Sequence, residues 1–229
     1  MNVTRGRAMP LLCATLLCLD LALKALCAPT DTAKDLVFLL DVSSGMEEAE
    51  RFIVAGAHLA TFQLASADRI ALITVGSTIR SRLVLTNQKD PIEQAFRTAI
   101  PLFVGGRRPP RLYDGVWGAL RALGATGKDR KSFIIVITNQ GDRGSAHALE
   151  ELIEKARDQQ VTIEAFLVRD ARPGVSRLGW PTDTAPSDLE AAVRTWRAVV
   201  SPTGGTVSVV DVDGYILRKA VAICGTGAQ

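Results

Sequence analysis

Three stretches of almost uninterrupted apolar residues, Leu36–Leu40, Ile70–Val75 and Phe133–Ile137, constrain this chain more than any other feature. A strand that is apolar at nearly every position has to be covered on both faces, which is the situation of a central strand in a parallel sheet. Val161–Val168 and Thr206–Val210 read as two further strands. Between the strands the apolar spacing changes to three and four. Phe52, Ala55, Leu59 and Phe62 form one stripe on a helix of about 18 residues. Ile92, Ala95 and Phe96 within Pro91–Ile100 mark a second helix; Leu112, Val116, Ala119, Leu120 and Leu123 mark a third, with Trp117 read as core; Ala148, Leu152 and Ala156 mark a fourth. Arg82–Leu85 is short and ends in Thr86-Asn87, as an edge strand does. Strands alternating with amphipathic helices predict an α/β domain: a doubly wound, Rossmann-like, mostly parallel central sheet with helices on both faces and one short edge strand. From Asp170 to Ser187 the chain turns to Arg, Pro, Gly and Trp-Pro, a longer loop than a strand-to-helix connection needs, and Ser187-Asp-Leu-Glu190 is a capping box for the helix after it.

The first residues have a different character. Arg5 and Arg7 precede an apolar run through Leu11–Leu12, Leu16–Leu17 and Leu19–Leu26, and Ala25-Leu26-Cys27 puts small residues where a signal peptidase needs them. Residues 1–27 read as a secretory signal, 28–34 as a short linker, 35–225 as the folded domain and 226–229 as a tail. A buried N-terminal helix is the competing reading, favoured by Asp20 and Lys24 inside the apolar run. The same two charges interrupt that run short of the roughly 20 apolar residues of a membrane span, so no permanent span is expected. Three of the four cysteines, Cys13, Cys18 and Cys27, lie in the leader, leaving Cys224 without a partner for an internal disulfide and best read as a packed small hydrophobe. Removing the leader takes away three basic groups and one acidic one, which lowers the formal charge from +3 to about +1. Charge therefore gives no reason to expect a nucleic-acid partner. The expected location is secreted, periplasmic or cell-envelope.

Ligands of doubly wound sheets bind at the carboxyl ends of the strands, where chain direction switches. The first strand ends in Asp41-Val42-Ser43-Ser44-Gly45-Met46, the second lies in Asp68-Arg-Ile-Ala-Leu-Ile-Thr-Val, a helix opens with Leu112-Tyr113-Asp114, and the third apolar run leads into Thr138-Asn-Gln-Gly-Asp-Arg-Gly-Ser145. In this order, over roughly residues 34–225, these segments resemble von Willebrand factor type A domains of the bacterial type, whose first loop carries D-x-S-x-S. In that family a divalent cation such as Mg²⁺ sits over the sheet, held by the Asp and both serines of the first loop, a Thr of the second and an Asp of the third, and a partner's carboxylate often completes the shell.

Carried onto this chain, the resemblance implies Asp41 and Ser43 at the first two positions. The second serine position is Gly45, the threonine position is Pro110 of Gly105-Gly-Arg-Arg-Pro-Pro-Arg111, and the third-loop aspartate position is Asn139. The implied site is a degenerate metal-ion-dependent adhesion site with Asp41, Ser43 and Asn139 as a partial set, binding Mg²⁺ weakly or not at all. Around it, Ser44, Gly45, Arg107, Arg108, Arg111 and Asp142 are expected to form the ligand-binding loops. One of the three arginines is expected to pair with Asp41 or to hold a ligand carboxylate. Two plainer readings stay open: a solvated basic loop, and an Asp41–Ser43 pair that merely caps the following helix.

Other chemistries fit less well. A haloacid-dehalogenase-like phosphatase needs a second Asp where this chain has Ser43. A P-loop or a G-x-G-x-x-G fingerprint is absent. A serine hydrolase using Ser43 or Ser44 needs a nucleophile elbow and a base, and His58 and His147 follow no catalytic pattern; His58 has no second ligand at metal spacing. The sequence thus points to a non-catalytic protein-binding or adhesion module, its partner engaged through an acidic side chain. A serine hydrolase and a fully metal-dependent adhesion domain are the alternatives.

Overall fold

β1 (Lys34–Asp41) is buried along its whole length and occupies the middle of a six-stranded sheet ordered β3-β2-β1-β4-β5-β6. The computed structural model describes residues 32–43, 46, 49, 53, 64–76, 78–99, 110–124, 129–169 and 189–210. The other strands are β2 (Arg69–Val75), β3 (Ile79–Thr86), β4 (Lys131–Thr138), β5 (Val161–Val168) and β6 (Val207–Val210). Every pairing is parallel except that of β2 with β3. The described helices are α1 (Lys89–Ala99), α2 (Leu112–Leu123), α3 (Leu149–Asp158) and α4 (Leu189–Val200). This is the doubly wound α/β architecture expected from the apolar runs. None of the described helices is long and apolar enough to cross a membrane.

Because alternate residues of β1 point to opposite faces, its apolar run feeds two cores. Leu36, Phe38 and Leu40 pack with Met46, Ala49, Ile53 and α1, where Phe38 meets Phe96 edge to face at 5.5 Å. Val37 and Leu39 pack under α2, with α3 and α4 covering the same face further along the sheet. Full burial of each such side chain contributes about 1.5–3 kcal/mol. Two glycines let backbones approach: a Cβ on Gly115 of α2 would lie 2.5 Å from Val75 Cγ2, and one on Gly205, before β6, would lie 1.8 Å from the Ile163 carbonyl oxygen.

Several expectations shift in detail. Lys34 belongs to β1 rather than to a linker, because it pairs with Lys131 of β4; the Asp68 carboxylate accepts its N–H at 2.9 Å. The edge strand extends from Ile79, beyond Arg82–Leu85, with a register irregularity opposite Ile70–Ile73. Arg80, Ser81 and Val84 are exposed along it, and charge on an edge discourages pairing with another chain. Trp117 is half-buried rather than core: it stacks on His147 at 4.2 Å, and the Lys155 ammonium lies 4.6 Å from its ring centre. The leader, the stripe from Phe52 to Phe62 with His58, the 170–188 loop including Ser187, and Cys224 lie outside the described residues.

The amino end of the sheet is closed by charge. Asp35 is fully buried and receives Arg69 in two-point fashion, at 2.8 and 2.7 Å, together with Arg130 Nε at 2.7 Å. Burial pushes its carboxyl up, but the hydrogen bonds and charges of Arg69 and Arg130 outweigh that and hold it below the usual carboxylate range.

At the other end the chain runs outward from β1 through β2 to β3, then returns to β4 on the far side of β1. The carboxyl ends of β1 and β4 therefore border the topological switch point, the place where such sheets bind ligands.

Candidate functional site

Asp41 closes β1 and is fully buried. Its Oδ1 accepts the Ser43 N–H at 2.9 Å, and its Oδ2 accepts the Thr138 hydroxyl at 2.6 Å. A third donor is the Gln140 side-chain amide, whose Nε2 lies 3.4 Å from Asp41 Oδ2 and 2.9 Å from Ser43 Oγ. Burial pushes the Asp41 carboxyl above its ordinary range, and the hydrogen bonds from Thr138, Ser43 and Gln140 offset this only in part.

Gln140 is held from behind. Its N–H donates to Thr138 Oγ1 at 3.2 Å, and its carbonyl accepts the indole N–H of Trp196 at 2.9 Å. Trp196 is fully buried on α4 and meets Tyr113 edge to face at 6.1 Å. The Tyr113 phenol is pushed up to about 12 by burial and by the nearby Asp142 and Glu150, so it remains a neutral hydroxyl.

A second polar cluster lies beside the first. Asp142 Oδ1 accepts the Tyr113 N–H at 3.0 Å and the Ser145 hydroxyl at 2.6 Å, and its Oδ2 accepts the Ser145 N–H at 3.2 Å. Ser145 Oγ takes the Asp114 N–H at 3.1 Å. In return Asp114 accepts the N–H groups of Ala146 at 3.0 Å and His147 at 3.1 Å. Burial pushes the Asp114 carboxyl up, but these backbone donors and Arg111 bring it below its ordinary range. Asp142, expected in a ligand-binding loop, spends its oxygens on backbone and Ser145 donors instead.

The expected arginine partner of Asp41 is not Arg111. That guanidinium forms an ion pair with Asp114, three residues on at the start of α2, where helical spacing brings the two side chains together. No arginine contacts Asp41 among the described residues. Arg107 and Arg108, with Ser44 and Gly45, lie outside the described residues. His147 stacks on Trp117 and faces Glu151 Oε2 at 3.3 Å, while Ser43 Oγ has the Gln140 amide as its partner.

Asn139 follows directly on β4 and is buried, and Pro110, also buried, brings no side-chain oxygen. Mg²⁺ requires near-octahedral oxygen coordination and anionic ligands to offset its dehydration. Asp41 supplies a charge here, Ser43 and Asn139 are neutral, and the oxygens of Asp41 and Ser43 both face an N–H₂ group. The described residues do not fit a tightly held Mg²⁺, and no cluster of three or more His, Cys, Asp or Glu side chains suited to a metal occurs among them. Sequence reasoning missed Thr138 and Gln140. Both belong to the Thr138–Ser145 segment recognised from the sequence, but a strand-terminal Thr and a Gln beside the expected aspartate position belong to no metal motif.

A doubly wound α/β domain with a buried aspartate at its switch point is the class of protein that fold and site define. No protein-family model matches the chain, and no curated protein matches it. Solved structures do. BatB from Bacteroides thetaiotaomicron superposes with a TM-score of 0.64 at 14% identity, over 85% of this chain and 98% of its own. The vWF domain of the type V pili tip protein Mfa5 from Porphyromonas gingivalis gives 0.64 at 9% identity, over 87% and 97%. A von Willebrand factor type A protein from Catenulispora acidiphila gives 0.62 at 14% identity, over 85% of this chain and 42% of that one. The chain has the von Willebrand factor type A fold.

Proposed function

We propose that this chain is an exported, non-catalytic protein-binding or adhesion module of the von Willebrand factor A type that works without a tightly held metal ion. The observation that carries the reading is the Gln140 amide bridging Asp41 and Ser43: these two first-loop oxygens find their donor within the chain. The same contact supports a non-catalytic role, since Ser43 Oγ faces an amide rather than an imidazole base. Fold likeness to a pilus-tip domain supports adhesion and an envelope or extracellular location. Partner choice follows from charge. Arg143 and Arg169 are exposed at the carboxyl end of the sheet beside Arg111, whose charge is shared with Asp114, whereas Asp114 and Asp142 are turned inward onto backbone N–H groups. This rim suits an acidic side chain of a protein partner.

The test is binding to immobilised acidic peptides and matrix proteins, with chelator and with salt as the two variables. Binding should be indifferent to chelator and weaken as salt is raised, because exposed guanidinium–carboxylate contacts are screened. Binding abolished by chelator would sink the metal-independent reading. Labelling by a fluorophosphonate, lost on Ser43→Ala, would sink the non-catalytic one.

A further inference from the structure

The structure assigns to Gln140 the task of excluding a cation from the strand ends: its side-chain amide fills the space between Asp41 and Ser43 and supplies the positive pole that both oxygens face. This rests on the metal-independent reading above and adds the residue responsible for it.

Three observations carry the assignment. First, one nitrogen reaches both oxygens, at 2.9 Å from Ser43 Oγ and 3.4 Å from Asp41 Oδ2, so an ion bridging them has to displace it. A cation about 2.0–2.1 Å from both oxygens would meet the hydrogens of an N–H₂ group that donates to those same oxygens, so the amide has to turn away before the ion binds. Second, the amide turns its N–H₂ end, not its oxygen, toward Asp41 Oδ2 and Ser43 Oγ, the sense in which it donates to both. Third, the main chain of Gln140 is clamped on both polar groups, by Thr138 Oγ1 and by the indole of the buried Trp196. The amide therefore starts from a rigid base, and swinging it aside forfeits the hydrogen bond to Ser43 Oγ along with the contact to Asp41. Thr138 completes the arrangement, its hydroxyl on the same Oδ2 at 2.6 Å.

Gln140→Glu replaces the donor by a second carboxylate beside Asp41, which a divalent cation should relieve. Melting temperatures of the full chain are compared in EDTA and in about 10 mM Mg²⁺ or Mn²⁺, where stabilisation reports binding to the folded state. Wild type should not respond. Gln140→Glu should melt lower in EDTA and regain several degrees with cation, and adding Asp41→Asn should abolish the recovery. Gln140→Ser opens the space without adding charge and serves if the Glu variant does not fold; it should bind Mn²⁺ at least about tenfold more tightly than wild type, read by electron paramagnetic resonance. Folded Gln140 variants as indifferent to cations as wild type would overturn the role of Gln140 while leaving metal independence standing. A wild-type response that Asp41→Asn removes would overturn both.

Discussion

Asp114 and Asp142 each bind the backbone of the other's segment: Asp142 takes the Tyr113 N–H at the start of α2, and Asp114 takes the Ala146 and His147 N–H groups ahead of α3. Arg111, which precedes α2, makes no side-chain cap, so the acceptors for the second and third helical N–H groups arrive from the β4–α3 loop. The α3 start is likewise half-capped from within: Glu151 reaches back to the Ala148 N–H at 3.3 Å, and an alanine cannot return the bond. The exchange fixes two loops at the switch point against one another.

Removing one side of this exchange should cost about 1–2 kcal/mol, the usual worth of a helix cap. Asp142→Ala and Asp114→Ala, measured singly and together by urea denaturation, should be non-additive by at least about 0.5 kcal/mol. Strict additivity would show that the two loops are held independently.

Thr138 donates to a carboxylate out of reach of water. Thr138→Val keeps the shape and removes the donor, and should cost about 1.5–3 kcal/mol, the worth of a hydrogen bond to a charged group. Thr138→Ser retains the hydroxyl and should recover most of that loss. Equal losses in the two variants would place the role of Thr138 in its methyl group.

The sheet's other end sets an acid dependence. Asp35 titrates below its ordinary value in the folded protein, so the stability it contributes is present above the unfolded-state pKa and is lost as pH falls through the folded one. The advantage of wild type over Asp35→Asn in urea midpoint should be full near pH 6 and shrink below about pH 4. An advantage that grows on acidification would contradict the ion-pair geometry.

Glycines in one helix should respond in opposite directions. Gly115→Ala drives a Cβ into Val75 and Leu39 and should cost about 1–3 kcal/mol, whereas Gly118→Ala, with no atom within 4 Å, should stabilise α2 by about 0.5–1 kcal/mol. Gly205→Ala should be the most damaging of the three, because the Ile163 carbonyl belongs to β5 and cannot rotate away. Thermal melts of the three variants decide the order.

The fold was legible because its determinants are local and redundant. A run such as Leu36–Leu40 has to be covered on both faces whatever surrounds it, and the three- and four-residue spacing of Leu112, Val116, Ala119 and Leu123 faces one side of a helix in any context. The position of Asp41 at a strand's carboxyl end followed from the same pattern, and with it the place where ligands of such sheets bind. What Asp41 touches did not follow. Its partners Thr138 and Gln140 lie 97 and 99 residues away in the chain and reach it only because β4 pairs beside β1. Arg111 shows the converse: the sequence put a guanidinium near the site, but helical spacing offered it Asp114 at closer range. Apolar patterning therefore determined which elements form and how they layer, whereas the pairing of polar side chains was decided by the tertiary structure, because a hydrogen bond depends on distances that only the register of packed strands establishes.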